Sequence, residues 1–231
     1  MKVAIDSSQT SGSIAIHDGA RLLYSAYFDI RITHSETLMP TLDRALSYCN
    51  LKPKDISELY VCSGPGSFTG LRIGIATAKG IAYALAIPVY SYNSLQMAAL
   101  ACLPYQGKIL SVIDAKMKEC YAALYDESLK EITAPCVLSA SDILSWPLQG
   151  SIVCGNAASS FAPYAEQSGF RIAPSWHNIS RADMLFYMAE HFEPTVHKAG
   201  DLADLQPLYL RESTAQIKAS KLRNSRKQEN Q

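Results

Sequence analysis

The sequence predicts an α/β protein made of two lobes of like design, and three observations lead to this. A short apolar strand ending in aspartate occurs twice, as Lys2–Asp6 and as Ile109–Asp114, each followed by a turn and a second strand. The second strands lead to Asp18 and Asp126, each twelve residues beyond its partner aspartate. Strand, turn and strand repeated in order mark a duplicated unit. Between the copies, Ile56–Cys62 reads as a buried strand, followed by Gly64-Pro-Gly-Ser-Phe-Thr-Gly70 and a helical run to Ala86. Finally, 48% hydrophobic and 18% charged residues in a chain of 231 supply core for one large domain or two smaller ones.

The elements follow in order. After Lys2–Asp6 and a polar turn, Ser13–His17 and Arg21–Phe28 complete an antiparallel meander. Thr33-His-Ser-Glu36 has capping-box spacing, with Thr33 as cap and Glu36 reaching back. The helix that follows places Leu38, Leu42, Ala45, Leu46 and Cys49 on one face, and Pro40 inside it predicts a bend or a tightened first turn. In the glycine-rich stretch, Gly64, Pro65 and Gly66 make a tight turn, and Ser67 or Thr69 caps the next helix. A strand Ile87–Tyr92 and a short helix Ser94–Leu103 close the first lobe, residues 1–106. The second lobe, residues 107–212, is expected to hold helices over Ser141–Leu148, Ala158–Gln167 and Ser180–Phe192, strands at Ile152–Asn156 and Phe170–Ala173, and an extended Gln206–Arg211. Residues 213–231 are polar and rich in lysine and arginine, the pattern of a solvated tail; tRNA contact through it is a secondary expectation.

The helix after the glycine turn is rich in small residues. Gly70, Gly74 and Ala78 form one stripe, and Ala76, Gly80 and Ala84 another. Each internal glycine costs about 0.8–1 kcal/mol against alanine. Close approach of a second helix, from this chain or a partner, would offset that cost. The start of this helix also suits a phosphate or carboxylate, which makes Asp6, Gly64, Gly66, Ser67 and Thr69 candidate phosphate- or nucleotide-binding residues. A plain strand-to-helix turn fits the same residues equally well, since neither the P-loop pattern nor the dinucleotide fingerprint is present.

Composition narrows the function classes. Net charge is zero with 21 basic and 21 acidic residues, which argues against a protein gripping nucleic acid alone by bulk electrostatics. Six cysteines lack any C-x-x-C pair and read as reduced core residues of a cytoplasmic protein. No signal peptide or membrane span is expected. His17, His34, His177, His191 and His197 show no helical metal spacing, and no G-x-S-x-G elbow occurs. His34 beside Glu36 reads as a helix-start pair, or as a neighbour of the glycine turn.

Two lobes that each open with a strand ending in aspartate resemble the actin-like ATPase architecture. There, strand-end aspartates and glycine-bearing hairpin turns hold metal and phosphates. Here Asp6 precedes Ser7-Ser-Gln-Thr10 and Asp114 precedes Ala115-Lys-Met117, and neither turn has glycine at its tight position. Strand-ending, turn-capping aspartates are the commoner role.

The N-terminal half resembles the TsaB (YeaZ) family of tRNA threonylcarbamoyladenosine synthesis. The matching stretches are Ile5-Asp-Ser-Ser8, His34-Ser-Glu-Thr-Leu-Met-Pro40, Gly64-Pro-Gly-Ser-Phe-Thr-Gly-Leu-Arg-Ile-Gly74 with Ala78-Lys-Gly80, Asn93-Ser-Leu95 and Asp114-Ala-Lys-Met117. Pro207-Leu-Tyr-Leu-Arg211 also matches, while Lys116 stands where the family usually has arginine. The resemblance implies an actin-like fold and a non-catalytic subunit that binds and activates the catalytic paralogue TsaD. The ATPase TsaE and tRNA join through the complex, and a homodimer forms when TsaD is absent. ATP and a metal ion then belong to the complex and not to this chain. The metal-binding H-x-x-x-H motif of TsaD falls on Ser94-Leu-Gln-Met-Ala98, which supplies neither histidine. The implied partner face comprises Leu38, Leu42, Leu46, Gly70, Ile73, Gly74, Thr77, Ala78 and Ile81, and Gly74→Leu is expected to abolish TsaD binding while leaving the monomer folded. The alternative is a nucleotide-binding kinase or transferase of the same fold, using Asp6 or Asp114. A metalloprotease is a further rival, which the missing histidine pair opposes.

Overall fold

Antiparallel meanders open both β-sheets of the protein, a computed structural model that describes residues 1–30 and 32–210. In the first, β1 (Lys2–Asp6), β2 (Gly12–His17) and β3 (Leu22–Phe28) pair in sequence. Helix α1 (His34–Tyr48) crosses to β4 (Glu58–Gly64), which lies parallel to β1. Helix α2 (Phe68–Leu85) then crosses to β5 (Val89–Asn93), parallel to β4. Helix α3 (Ser94–Leu100), capped by Asn93, leads to the second meander of β6 (Ile109–Lys116), β7 (Glu119–Tyr125) and β8 (Glu131–Ser139). Helix α4 (Ala140–Ile143) precedes β9 (Ile152–Cys154), parallel to β6. A 3₁₀ stretch, Ala158–Tyr164, and α5 (Ala165–Ser168) precede β10 (Arg171–Ile172), parallel to β9. Helix α6 (Met184–His191) and β11 (Thr195–His197) follow.

The spatial orders are β11-β5-β4-β1-β2-β3 and β10-β9-β6-β7-β8, the same topology twice apart from the added β11. The repeat extends to hydrogen bonds. Asp6 Oδ1 accepts the Ser8 N–H at 2.9 Å, and Asp114 Oδ1 accepts the Lys116 N–H at 2.8 Å. Asp18 and Asp126 each close the following turn by accepting two backbone N–H groups, those of Ala20 and Arg21 and those of Ser128 and Lys130. All four aspartates thus tie strand ends to turns, as short polar side chains commonly do. Two sheets of this topology make the actin-like α/β fold.

Side-chain alternation along each strand sorts the core. Val3, Ile5, Ile14, Ile16 and Val61 face α1 and α2, meeting Leu38, Leu42, Leu46, Ile75 and Ala78. Ala4, Ala15 and Tyr60 face the opposite way, toward Leu185, Phe186 and Met188 of α6. In the second sheet Leu110 and Val112 pack on Ile143 and Phe161, while Ile109 and Ile113 meet Leu95 and Ala99 of α3.

Several expectations need correction. Thr33 occupies the N-cap position of α1, but its hydroxyl makes no cap bond and pairs with Ser35 Oγ at 2.9 Å, so the capping box does not form. The second half does not stay with the second sheet: α6 packs on the first sheet and β11 pairs with its β5 edge, so the boundary at 106/107 does not divide the chain into two lobes. Strand β8 escaped prediction because Pro135 interrupts it. The strand tolerates proline because it lies at a sheet edge, and its register shifts where Pro135 falls. Helices α4, α5 and α6 are shorter than expected. Arg211 and the tail, residues 213–231, lie outside the described residues.

Candidate functional site

The glycine turn meets the β1–β2 turn at the bottom of a cleft between the two sheets. Ser67 N–H donates to the Ser8 carbonyl at 2.7 Å, and Ser67 Oγ caps α2 by accepting the Gly70 N–H at 3.2 Å. The contact is so close that side chains are excluded. A Cβ on Gly66 would stand 2.0 Å from Ser8 O, one on Gly70 would stand 2.1 Å from Ser7 O, and one on Gly74 would stand 2.1 Å from Ser7 Oγ. Ser7 Oγ in turn donates to the Gly70 carbonyl at 2.8 Å. The glycine stripe of α2 therefore accommodates this chain's own hairpin turn, not a second helix. A Cβ on Gly80, on the other stripe, would point into open space.

Ser8, Gln9, Thr10 and the stretch Gly66–Thr69 line one wall of the cleft, about 200 Å³ in volume. The second hairpin, Ile113–Lys116, lines the other, with Tyr121 and Asn156. Gly66, Ser67 and Thr69 thus reach the cleft among the candidate anion-binding residues, and α2 directs its positive end there. Asp6 and Gly64 do not line it. Asp6 is buried, with Oδ1 on the Ser8 N–H and Oδ2 accepting the Ser180 hydroxyl. Gly64, at φ +108°, lies under Leu71 and Leu208. Asp114 reaches the cleft but is engaged by Lys116, whose Nζ lies 2.6 Å from Oδ2. Partial burial pushes the Asp114 carboxyl up, but the Lys116 ammonium and backbone N–H outweigh it and hold it below the usual carboxylate range. Lys116, Met117 and Lys118 all adopt positive φ, at 63°, 56° and 66°, in a turn where glycine is the favoured residue.

His34 lies beside the glycine turn: its Nε2 contacts the Gln9 carbonyl at 3.0 Å, and its ring packs against Gly70. Ser94 donates its hydroxyl to the Pro65 carbonyl. Burial pushes the Cys62 thiol up, and the Cys120 thiol up to about 11, as for core residues.

The predicted partner face divides. Leu38, Leu42, Leu46, Gly70, Gly74 and Ala78 are buried in the chain's own core and cannot touch a partner. Ile73, Thr77 and Ile81 remain half-buried. The large exposed apolar groups nearby are Met39, Tyr48 and Tyr83, with exposures of 50%, 76% and 80%. Sequence reasoning missed them because it followed the apolar stripes, and these side chains stand off those stripes. Projection onto a helical wheel would have found them. Both helices connect strands parallel to β1, so they run side by side and place Tyr48 and Tyr83 at the same end.

A model of the family described as TsaD, tRNA N6-adenosine threonylcarbamoyltransferase, matches residues 30–217, more than half of the chain. The chain belongs to this family. Within it the chain lies in the TsaB/YeaZ group. It is 35% identical over 125 residues to the tRNA threonylcarbamoyladenosine biosynthesis protein TsaB of Bacillus subtilis (strain 168), covering 53% of this chain and 54% of that protein. It is 33% identical over 127 residues to TsaB of Escherichia coli (strain K12), with coverages of 53% and 54%. The chain spans about half the length of these curated relatives. YeaZ from Pseudomonas aeruginosa overlays with a TM-score of 0.71 over 90% of this chain and 99% of that one, at 23% identity, and so shares the fold. Among the described residues of this TsaB/YeaZ-group chain, no helix is long and apolar enough to cross a membrane.

Proposed function

We propose that this chain is a subunit of a cytoplasmic tRNA threonylcarbamoyladenosine-forming complex and that it binds and activates the catalytic paralogue TsaD. The observation that carries this is the outer surface of α1 and α2, where Met39, Tyr48 and Tyr83 are exposed. Half-buried Ile73, Thr77 and Ile81 lie on α2, and the small Ala76, Gly80 and Ala84 beside Tyr83 leave room for close packing. Exposed tyrosines around small residues are what an association surface needs. TsaE and tRNA would join through that complex, and a second copy of this chain would cover the face when TsaD is absent. The strand-end aspartates support a non-catalytic role, because each is occupied by bonds within the chain.

Titration of TsaD with the wild-type chain and with Tyr83→Glu and Tyr48→Glu tests this. Both variants lie at exposed positions and should keep the wild-type melting temperature. Each should weaken association at least ~10-fold, the loss expected of a tyrosine hot spot, and should reduce threonylcarbamoyladenosine formation in step. Undiminished association by well-folded variants would refute the proposed face. The second reading is a nucleotide held in the cleft, favoured by the α2 N-terminus that opens there. ATP turnover by the isolated chain that is lost on Asp114→Ala would establish it.

A further inference from the structure

The far face of the first sheet carries a cavity that the α1–α2 docking surface does not use. Side chains alternate along β2, so His17 shares the face of Ala15 and looks toward α6. The ring centres of His17 and Phe186 lie 5.1 Å apart, and Tyr60 meets Phe186 edge-on at 5.4 Å. Ala182 N–H donates to Ser13 Oγ at 2.8 Å, which pins the start of α6 on β2. Between α6 and the β2–β3 turn this arrangement leaves a cavity of about 230 Å³. At ~30 Å³ per water in the liquid, that is room for about eight non-hydrogen atoms.

The two walls of the cavity differ in charge. Asp183, Tyr187 and Glu190 stand at helical spacing and form the α6 wall. Asp183 is only 7% exposed. Its Oδ1 is buried without a hydrogen-bond partner among the described residues, because Arg181 Nε, 3.2 Å away, lies outside hydrogen-bond geometry. A buried carboxylate oxygen in that state gains from a charged donor. The turn wall offers donors instead. Gly19 N–H donates to His17 Nδ1 at 2.9 Å, which leaves the ring proton on Nε2. The Arg21 side chain is 79% exposed and held by one long contact, Nε to Asp18 Oδ2 at 3.7 Å, so its guanidinium can turn inward. Leu22 and the Phe186 ring supply the apolar lining.

These walls select the ligand. Among the described residues no three His, Cys, Asp or Glu groups could hold a metal ion, so the cation that suits the α6 wall is an organic one. A plain amine would face Arg21 as a like charge, and a plain carboxylate would face Asp183 and Glu190. A molecule bearing both groups complements both walls. We propose that this cavity binds a small free α-amino acid, with its ammonium on Asp183 and Glu190 and its carboxylate on Arg21 and His17 Nε2–H. The site lies across the sheet from α1 and α2, so a partner on those helices leaves it open. It does not rest on the tRNA-modification reading.

Nuclear magnetic resonance titration of the isotope-labelled full chain tests this, read at the backbone amides of Ala20, Leu22 and Tyr187. The probes are L-alanine, L-serine and L-threonine, with ethylamine and propionate as half-ligands. At least one amino acid should give saturable shifts at these amides, and each half-ligand should bind at least ~10-fold more weakly, since each loses a charged contact. Arg21→Gln and Glu190→Gln, both at exposed positions, should keep the wild-type melting temperature and weaken the amino acid at least ~10-fold. The absence of saturable shifts with all three amino acids overturns the proposal. So do shifts that neither variant diminishes. Ethylamine binding as tightly as the amino acids would overturn the amino-acid assignment and make the cavity a simple amine site.

Discussion

Replacing Gly70 by alanine should destabilise the protein by about 2 kcal/mol, whereas the same change at Gly80 should stabilise it by about 0.8–1 kcal/mol. Both glycines lie inside α2, so both substitutions gain the same helix propensity of ~1 kcal/mol. Their surroundings differ. A Cβ at Gly70 would stand 2.1 Å from the Ser7 backbone carbonyl, with His34 and Ser67 each 3.2 Å away, so the hairpin turn must retreat by about 1 Å. That turn is held by Ser7 Oγ on the Gly70 carbonyl and by Ser67 N–H on Ser8, and the obstacle is backbone, which cannot rotate aside. Overpacking of this kind costs ~3 kcal/mol at the upper end of the usual range. Subtracting the propensity gain leaves about 2 kcal/mol. At Gly80 an added Cβ would meet no other part of the protein within 4 Å, so only the gain remains. For a chain of this size the melting temperature should fall by about 4–8 °C for Gly70→Ala and rise by about 2–4 °C for Gly80→Ala. Thermal unfolding followed by circular dichroism reads both. A Gly70→Ala protein that melts at or above wild type would show that the glycines are not needed for the turn. By the same geometry, Gly74→Leu should unfold the first lobe and not selectively remove partner binding, because its Cβ would already stand 2.1 Å from Ser7 Oγ.

Lys118→Gly should stabilise the β6–β7 hairpin by about 0.5–1 kcal/mol, since relief of a left-handed residue exceeds the added flexibility of the unfolded chain; urea titration measures it, and a lower midpoint would contradict the strained turn. Lys116→Met should move the Asp114 carboxyl part of the way back up toward the ordinary range, read by carboxyl-carbon NMR across pH 2–6, because the Lys116 ammonium, together with the backbone N–H that remains, holds it down against burial; an unchanged titration would exclude the ion pair as a cause. Burial pushes the His197 imidazole below its usual range, helped by Lys79 and opposed by Asp204 and Asp201. The unfolded chain then binds a proton more readily than the folded one, so His197 stability is present above the unfolded value near ~6.5 and is lost as pH falls toward the folded value. Melting temperature should therefore drop between pH 7 and pH 5.5, and His197→Gln should flatten that part of the drop.

Much of the fold was legible because it depends on short-range pattern. The two aspartate-ended strands, their equal spacing and the strand, glycine turn and helix between them are local features, and the structure repeats the topology they implied. Two strand-helix boundaries, the starts of α2 and α3, were also nearly correct, because Ser67, Asn93 and the glycine turn carry their own capping and turn chemistry. Strand β8 was not legible, because Pro135 reads as a breaker until the strand is known to lie at a sheet edge. Strand β11 was too short to signal, and its pairing with β5 joins residues about a hundred positions apart. The candidate site divided along the same line. That Gly66, Gly70 and Gly74 had to be small was clear, but what they were small for was not.

From its sequence alone, this protein was determined to be an α/β chain with a duplicated strand-turn-strand unit and a glycine-rich helix start. Those follow from residue spacing, turn chemistry and periodicity, which act over a few residues. Only the tertiary structure decided that the glycines receive Ser7 and Ser8, that Asp6 is bonded to Ser180, and that Tyr209 is clamped on Arg72. Each of these contacts joins groups more than fifty residues apart, and their pairing is set by how the sheets and helices pack, which no local pattern encodes.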